Sequence, residues 1–495
     1  MKKVLLSLVL VGLFSLALPA GAFAASNVWT NVGPASGSTL CVVVSPAYAS
    51  DHTLFAGGNF FGPAGIFKSA NSGGAWSPAI TGLDVEAQVH ALAISPAYAS
   101  DHTVFAATAR GVLRSTSAVT SWSAVDTGFP DYPDFPDGGA LNSFNIRCVA
   151  ISPQYASDHT VFISGNFFGA PGIFKSVTGG ESWTQVYANL PIGLPDDPEF
   201  MTHIQAIAIS PAYSSDHTVF LGTSGGVFKS TTIPETWSVI DTGFPDYPDF
   251  PDGGGLNSFN IVAAAVSPAY ASDHTAFIGG SFFGGPGLFK TITGGASWFD
   301  AGSRFDVVGG LPIEARVRSV AISPAYASDH TVLVGTDTGV FVSTTAGTRW
   351  GALNAGFADV PVFAVALSPA YATDHTLFAA GDAVHRISLD LPNANGTPTT
   401  PGSISTLRHG KSFTVSGFLI KHTAGTSPVT LLFYRYQSGH WVLRKTTTAK
   451  ASTVQFFSKY SDSTSVPYAG KWRVRARHTV SSTYRYSGYR NFTAN

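Results

Sequence analysis

Hydrophobic and polar positions alternate along this chain in short runs separated by turn-forming residues. Residues 91–125 contain four such runs in succession, Ala91–Ser95, Thr103–Ala107, Gly111–Ser115 and Ser121–Val125. Alternation with a period of two is typical of β-strands with one buried face, and the intervening glycine and serine residues indicate tight turns. No stretch has convincing helical periodicity. The pattern therefore predicts an all-β chain built from four-stranded antiparallel units.

One segment, Ser45–Thr53 (Ser-Pro-Ala-Tyr-Ala-Ser-Asp-His-Thr), recurs seven times with small changes. Its aspartate lies at Asp51, Asp101, Asp158, Asp216, Asp273, Asp329 and Asp374. Successive aspartates are 50, 57, 58, 57, 56 and 45 residues apart. Four strands repeated seven times at this period indicate a seven-bladed β-propeller of four-stranded blades.

The seventh unit is incomplete. It reaches only Ile387–Leu389 and has no fourth strand bearing a tryptophan, whereas Val28–Val32 (Val-Trp-Thr-Asn-Val) is similar to that strand in the third unit, Ser182–Val186. We expect Val28–Val32 to pair with the last strand of the seventh unit. Such pairing closes the ring and removes the exposed edges of an open sheet.

The turns between the third and fourth strands share a motif. They are Ser69–Trp76, Ser115–Trp122, Ser176–Trp183, Ser230–Trp237, Thr291–Trp298 and Ser343–Trp350. They resemble the Asp-box (BNR) hairpin, Ser-x-Asp-x-Gly-x-Thr-Trp, of sialidases, sortilin, xyloglucanases and photosystem II assembly factors, although the signature aspartate is replaced in every copy. The resemblance covers residues 28 to about 390 and implies a propeller. It implies no particular activity, because Asp-box propellers have unrelated functions.

The meander order separates two faces of the propeller. The scaffold face carries the first-to-second connections, which are the Ser-Pro-x-Tyr loops, and the Asp-box turns. These loops are nearly identical, so we expect each aspartate to accept local backbone N–H bonds, each tyrosine to pack and each proline to fix a turn. A ring of seven metal sites is the alternative, but one Asp-His pair supplies too few ligands.

The opposite face, here called the loop face, differs between units. Units 1, 3 and 5 carry phenylalanine pairs, Phe60, Phe61, Phe167, Phe168, Phe282 and Phe283. Two long connectors, 128–137 and 243–252, carry Asp131, Asp134, Asp137, Asp246, Asp249 and Asp252. Aromatic and acidic groups on variable loops are typical of a binding surface, so these residues form the candidate ligand site for a glycan or protein. Alternatively, the phenylalanines fill gaps between blades.

Enzymatic chemistry finds less support, and no catalytic residue is assigned. A glycosidase needs two carboxylates flanking the scissile bond, and the connector aspartates are its candidates. Their duplication argues against one unique active site. The sequence therefore favours a non-enzymatic protein, with a glycoside hydrolase as the alternative. The same oxygens would suit calcium; no other cofactor or metal site is predicted.

The composition changes after the propeller, which we assign to residues 26–391. Residues 392–402 are rich in Pro, Thr and Asn and form a linker. Alternating runs in residues 403–495 predict a β-sandwich. Gly470–Ala476 and the final Arg-Asn-Phe-Thr resemble bacterial immunoglobulin-like modules of exported surface proteins.

This second domain is strongly basic. Residues 402–495 hold 14 of the 28 Lys and Arg residues and one of the 30 acidic residues, a net charge of +13, against −15 for residues 1–401. Lys471, Arg473, Arg475 and Arg477 alternate on one predicted strand and share a face. They are the candidate binding site for an anionic cell-wall or surface polymer, in preference to nucleic acid. The alternative is a solvated strand face that keeps the sandwich soluble.

The first residues predict export. Lys2 and Lys3 precede the apolar stretch Val4–Ala20, and Ala22-Phe23-Ala24 offers a cleavage site, so we interpret residues 1–25 as a signal peptide. No later run approaches the roughly 18 apolar residues of a membrane span. Two cysteines, Cys41 and Cys148, do not make a disulfide framework, and we expect buried free thiols. The sequence thus indicates a secreted or surface-associated binding or scaffold protein.

Overall fold

The computed structural model describes residues 28–34, 37–60, 65–79, 81, 88–129, 144–167, 170–187, 190, 203–244, 259–282, 285–302, 316–348, 350–357, 360–389, 410–419, 429–438, 440–454, 457–480, 483–486 and 490–495. The first strands are β1 (Thr30–Gly33), β2 (Gly37–Val44), β3 (Leu54–Phe60), β4 (Ile66–Ser69), β5 (Ser77–Pro78), β6 (Val89–Ile94), β7 (Val104–Thr108), β8 (Gly111–Ser115), β9 (Ser123–Ala124), β10 (Phe144–Ile151), β11 (Val161–Phe167), β12 (Ala170–Ser176), β13 (Thr184–Gln185) and β14 (Ile204–Ile209). They continue with β15 (Val219–Thr223), β16 (Gly226–Ser230), β17 (Ser238–Val239), β18 (Phe259–Val266), β19 (Ala276–Phe282), β20 (Gly285–Thr291), β21 (Phe299–Asp300), β22 (Val317–Ile322), β23 (Val332–Thr336), β24 (Gly339–Ser343), β25 (Gly351–Ala352), β26 (Ala364–Leu367), β27 (Thr376–Ala380) and β28 (Val384–Ser388).

These strands form seven four-stranded antiparallel sheets in the described part of the chain. Sheets 1 to 6 each use four consecutive strands in chain order, beginning with β2 and ending with β25. Sheet 7 contains β26, β27 and β28, and its fourth strand is β1 from the start of the chain, with Thr30 opposite Arg386. This is the pairing that the sequence predicts for Val28–Val32.

Each Ser-Pro-x-Tyr loop contains one helical turn, which the sequence pattern did not predict. The turns are α1 (Tyr48–Asp51), α2 (Tyr98–Asp101), α3 (Tyr155–Asp158), α4 (Tyr213–Asp216), α5 (Tyr270–Asp273), α6 (Tyr326–Asp329) and α7 (Tyr371–Asp374). Hydrogen bonds within the loop hold each turn. In the first, Asp51 accepts from the Ser45 hydroxyl at 2.6 Å and from the backbone N–H of Thr53 at 2.8 Å, and His52 follows with a φ of 52°. The scaffold role predicted for these aspartates is confirmed.

The sheets contact one another in cyclic order through their first strands, β2, β6, β10, β14, β18, β22 and β26, and β26 returns to β2. A phenylalanine on the second strand of most sheets meets the loop tyrosine of the next sheet edge to face. These pairs are Phe55–Tyr98, Phe105–Tyr155, Phe162–Tyr213, Phe220–Tyr270, Phe277–Tyr326 and Phe378–Tyr48. The last pair joins sheet 7 to sheet 1. The arrangement is consistent with a β-propeller.

Tryptophans link each sheet to the one before it. Each indole Nε1–H donates to a backbone carbonyl at the end of the preceding sheet: Trp29 to Leu353, Trp76 to Val32, Trp122 to Ala79, Trp183 to Val125, Trp237 to Val186, Trp298 to Ile240 and Trp350 to Ala301. Trp29, next to β1, makes the same bond as the six tryptophans that end the third-to-fourth turns. The N-terminal segment therefore reproduces both the strand and the inter-sheet bond of a complete unit.

Cations link each sheet to the one after it. In five sheets, the third-strand residue opposite the phenylalanine of the second strand is a Lys or Arg. It donates to a backbone carbonyl in the third-to-fourth turn of the next sheet: Lys68 to Ala118, Arg114 to Gly179, Lys229 to Gly294, Lys290 to Ala346 and Arg386 to Ser72, at 2.6 to 3.2 Å. Sheet 6 has Val342 at this position, opposite Leu333. This exception follows from the topology. The fourth strand of sheet 7 is β1 from the start of the chain, so no turn joins the third and fourth strands of sheet 7. A cation of sheet 6 would therefore find no turn carbonyl to bond.

The link from sheet 3 to sheet 4 is a buried ion pair. Lys175 Nζ lies 2.6 Å from Glu235 Oε1, and the side chains of Lys175 and Glu235 are 9% and 1% exposed. The Tyr213 hydroxyl donates to the same carboxylate oxygen at 2.8 Å, and burial together with this carboxylate raises the pKa of Tyr213. Pro234 immediately precedes Glu235 in a turn without the two glycines of the equivalent turn in sheet 3, so a side-chain oxygen replaces the usual backbone acceptor.

A separate sheet forms from the C-terminal residues. Its strands are β29 (Phe413–Leu419), β30 (Val429–Gln437), β31 (His440–Val454), β32 (Phe457–Thr464), β33 (Gly470–Val480), β34 (Thr483–Tyr486) and β35 (Arg490–Ala494). The long strand β31 pairs with β30 through its first part and with β32 through its second. Val415 of β29, Phe433 of β30 and Trp472 of β33 belong to one buried core. The two-layer sandwich stays a prediction.

The two cysteines are free thiols. Cys41 is buried and Cys148 partly buried, on the first strands of sheets 1 and 3. Burial raises the pKa of Cys41 to about 12 and that of Cys148 to about 11, so both thiols stay protonated and unreactive near neutral pH.

We expect deletion of Val28–Val32 to destabilise all seven sheets together. The deletion removes the fourth strand of sheet 7 and the Trp29 bond to sheet 6, which leaves an open edge. Thermal unfolding of the chain with and without these residues measures the effect. An unchanged melting temperature would contradict the closing role of the segment.

We expect Glu235→Ala to lower the free energy of unfolding by about 3–5 kcal/mol, because it leaves Lys175 buried without its carboxylate. Denaturant titration measures the loss. Glu181→Ala is the matched control in the equivalent turn of sheet 3, where Glu181 is 69% exposed and pairs with Arg114. This exposed pair should contribute at most about 1 kcal/mol. Equal losses in the two variants would contradict the assignment.

Candidate functional site

The loop face lies where the second strand of each sheet ends and the third strand begins. The second strands β3, β11 and β19 of sheets 1, 3 and 5 have seven residues, whereas β7, β15 and β23 have five. The longer hairpins carry the phenylalanine pairs. Phe61, Phe168 and Phe283 lie outside the described residues, as do the side chains of Phe60 and Phe282 and the connector residues Asp131, Asp134, Asp137, Asp246, Asp249 and Asp252.

Phe167 is the one member of the phenylalanine pairs whose side chain the structure describes, and it is buried. It is 5% exposed, and its ring centroid lies 4.4 Å from that of Phe174, 5.4 Å from that of Phe129 and 5.7 Å from that of Phe144. Phe129 lies at the start of the connector that follows sheet 2, and its ring covers Phe167 in the longer hairpin of sheet 3. These contacts favour the packing alternative for Phe167 over a ligand contact.

The loop face has a second feature, which the hydrophobic pattern of the sequence does not predict. The first strands of sheets 1 to 6 each contain a β-bulge near the end closest to this face. The bulged residues are Leu40, His90, Arg147, Gln205, Val262 and Arg318. A bulge turns one side chain away from the regular alternation and is common beside binding sites. A polar residue between two apolar ones, as in Ile146-Arg147-Cys148, was the available signal.

Sheets 2, 3 and 4 bring five polar residues together, which we call the polar arc: His90, Asn145, Arg147, Asn166 and His203. Asn145 and Asn166 are paired across β10 and β11, and His203 Nδ1 lies 3.0 Å from Asn166 Oδ1. Burial lowers the pKa of His90 and of His203, and the positive charge of Arg147 lowers both further. A hydrogen bond with the Asn145 side chain raises the pKa of His90 and so partly offsets this decrease. Both imidazoles are therefore neutral at pH 7.

The equivalent arginine of sheet 6 is in a different environment. The Arg318 guanidinium forms an ion pair with Asp337 and lies 5.0 Å above the ring of Phe363 in sheet 7. Arg147 is exposed, and within the described ranges no carboxylate lies in ion-pair distance of it. Of the two bulged arginines, Arg318 is thus the one that has a carboxylate partner among the described residues.

The predicted polycationic strand is present as β33. Trp472, Val474 and Ala476 are fully buried, whereas Lys471 is exposed and Arg473, Arg475 and Arg477 are partly exposed on the other side. The predicted alternation of these residues is confirmed. The side chains of Arg485 and Arg490, which would extend this face, lie outside the described residues.

Aromatic rings order the arginines of β33. The Arg473 guanidinium lies 4.6 Å from the ring centroid of Trp441 and 5.2 Å from that of Tyr434. Arg475 lies 5.6 Å from the Tyr434 ring and donates to its hydroxyl at 3.1 Å. Tyr436, which is 44% exposed, packs on Trp441 with ring centroids 5.1 Å apart. We call Lys471, Arg473, Arg475 and Arg477, with these rings, the cationic face.

Among the described residues, no group of three or more His, Cys, Asp or Glu side chains is placed to hold a metal ion. In the same part of the chain, no helix is long and apolar enough to cross a membrane.

Comparisons with known proteins add distant structural likeness. No protein-family model and no curated protein matches the chain. The extracellular domain of a proposed one-component system from B. thetaiotaomicron aligns over 92% of this chain with a TM-score of 0.49 and 12% identity. The chain spans about half (53%) of the length of that structure. A PQQ-bound aldose sugar dehydrogenase from Streptomyces coelicolor aligns over 58% of this chain and 90% of its own, with a TM-score of 0.33 and 14% identity.

A third likeness is shorter. An uncharacterized protein from Bacillus anthracis str. Ames aligns over 18% of this chain and 77% of its own, with a TM-score of 0.13 and 16% identity. Likeness at these levels carries no functional argument. The Asp-box and immunoglobulin-like resemblances stay predictions.

We expect Phe167→Ala to lower the free energy of unfolding by about 3–5 kcal/mol, because it removes a ring packed on three other rings. Phe299→Ala is the matched control, since Phe299 is 52% exposed and its loss should cost no more than about 0.5 kcal/mol. Denaturant titration measures both. A stability loss at Phe167 no larger than at Phe299 would restore the ligand-binding interpretation.

Proposed function

We propose that this protein is a secreted or surface-associated, non-enzymatic binding protein. Its first part is a seven-bladed β-propeller that presents the loop face to a glycan or protein. Its C-terminal part is an immunoglobulin-like β-sandwich whose cationic face attaches the protein to an anionic surface polymer. The observation that carries this proposal is the cationic face, where four cations share one side of β33.

Several contacts support the seven-bladed assignment. Seven four-stranded sheets contact one another cyclically, and Phe378 and Tyr48 join the last sheet to the first. The N-terminal strand completes sheet 7. Export rests on the sequence of residues 1–25, which lie outside the described residues.

The construction of the cationic face supports attachment to a polyanion. Stacking on Tyr434 and Trp441 holds Arg473 in place, so less side-chain entropy is lost when an anion binds. Residues 402–495 have a net charge of +13, so the domain attracts polyanions as a whole. For an exported protein, the proposed anionic partner is cell-wall teichoic acid or an acidic polysaccharide.

The alternative of a glycoside hydrolase depends on the connector aspartates. These residues lie outside the described part of the chain, and no described contact favours catalysis. Calcium binding by the same aspartates is likewise a prediction from the sequence. The binding role is therefore the one that the described contacts support.

We expect replacement of Lys471, Arg473, Arg475 and Arg477 by Gln to abolish most binding of the full chain to wall teichoic acid. Wild-type affinity should fall steeply with salt, since charge neutralisation releases counterions. Sedimentation with the polymer at low and high ionic strength measures both effects. Arg444→Gln, an exposed cation on β31 that bonds Gln437, is the single-charge control and should change affinity little. Salt-independent binding, or full binding by the quadruple variant, would contradict the proposal.

A further inference from the structure

Among the described residues, seven cations of the four-stranded sheets bond to a turn carbonyl or a carboxylate, and Arg147 of the polar arc forms neither kind of contact. Five of those cations donate to turn carbonyls, Lys175 pairs with Glu235, and Arg318 pairs with Asp337. Arg147 is exposed on a bulge instead, and its charge acts on two histidines from the neighbouring sheets. An exposed guanidinium set between two imidazoles is an arrangement that suits an oxyanion.

We propose that Arg147, His90 and His203 form a binding site for the carboxylate of an acidic sugar on the loop face. This inference rests on the proposed role of that face in ligand binding. A guanidinium can donate two parallel hydrogen bonds to a carboxylate. The site has one fixed positive charge at neutral pH, which matches a monoanionic carboxylate better than a dianionic phosphate.

The neighbouring amides favour a sugar over a simple acid. Asn145 and Asn166 lie on adjacent strands, and His203 is held against Asn166 at 3.0 Å. Amide and imidazole groups both donate and accept hydrogen bonds, as hydroxyl groups require. Gln205 donates to Asn260 in the next sheet, so a row of planar polar groups continues beside the arc.

The site predicts a definite pH dependence. The charged and polar groups that act on the two imidazoles among the described residues are Arg147, Asn145 and Asn166. A bound carboxylate favours the charged imidazole and therefore raises both histidine pKa values. Binding then takes up protons, so affinity increases as the pH falls. Sugar carboxyl groups, with pKa values of about 4, stay ionised from pH 5.5 to 7.5.

The test follows the imidazole signals of the exported full chain by NMR, with trigalacturonate and its methyl ester as the probes. His90→Gln and His203→Gln assign the signals. We expect trigalacturonate to raise both pKa values and the uncharged ester to leave them unchanged. Arg147→Gln should weaken binding at this site about tenfold or more. Affinity should be at least about threefold higher at pH 5.5 than at pH 7.5.

Two controls separate this site from the rest of the molecule. Arg318→Gln changes the equivalent bulge of sheet 6, where Asp337 already neutralises the charge, and should leave the response unchanged. The quadruple Gln variant of the cationic face should lose polymer binding but keep the histidine response, so the two proposals fail separately. Equal effects of acid and ester, no effect of either, or full affinity in Arg147→Gln would overturn the carboxylate site.

Discussion

Each of the seven four-stranded sheets depends on hydrogen bonds that cross to its neighbours. An indole N–H reaches back to a carbonyl of the preceding sheet, and a Lys or Arg reaches forward to the turn of the next one. A four-stranded sheet has two apolar faces and cannot bury both alone. The crossing bonds fix how adjacent sheets align, and the apolar contacts then fill the space between them. Ring closure through Trp29 and β1 belongs to the same system.

The forward bonds explain why cations occupy positions that are otherwise apolar. Lys68, Lys229 and Lys290 lie over phenylalanine rings of their own sheets, and burial lowers their pKa values. The charge is tolerated because each ammonium group donates to a carbonyl. The next sheet offers no such turn to sheet 6. There Val342 stands in place of the cation and Leu333 in place of the phenylalanine opposite it. Lys175 and Glu235 satisfy the same position with an ion pair.

A uniform scaffold leaves few positions where function can differ between units. The bulged residue of each first strand is one of them, since it varies from leucine and valine to histidine, glutamine and arginine. The Ser-Pro-x-Tyr loops show the opposite behaviour, because Asp51 and its equivalents bond within their own loop. In the C-terminal sheet, β33 divides its residues between a buried core and the cationic face. Both candidate sites thus occupy scaffold positions that packing does not determine.

Local patterns in the sequence determined the all-β class, the four-strand units, the N-terminal strand and the alternation on β33. These features depend on the spacing of residues within one strand or one repeat, which the chain displays directly. The packing of Phe167 and the polar arc were decided by the tertiary structure alone. Phe129 covers Phe167 from a connector 38 residues away, and His90, Arg147 and His203 come from three different sheets. Whether a phenylalanine is exposed, or an arginine has a carboxylate beside it, depends on which distant segments the ring brings together, and no local pattern records that.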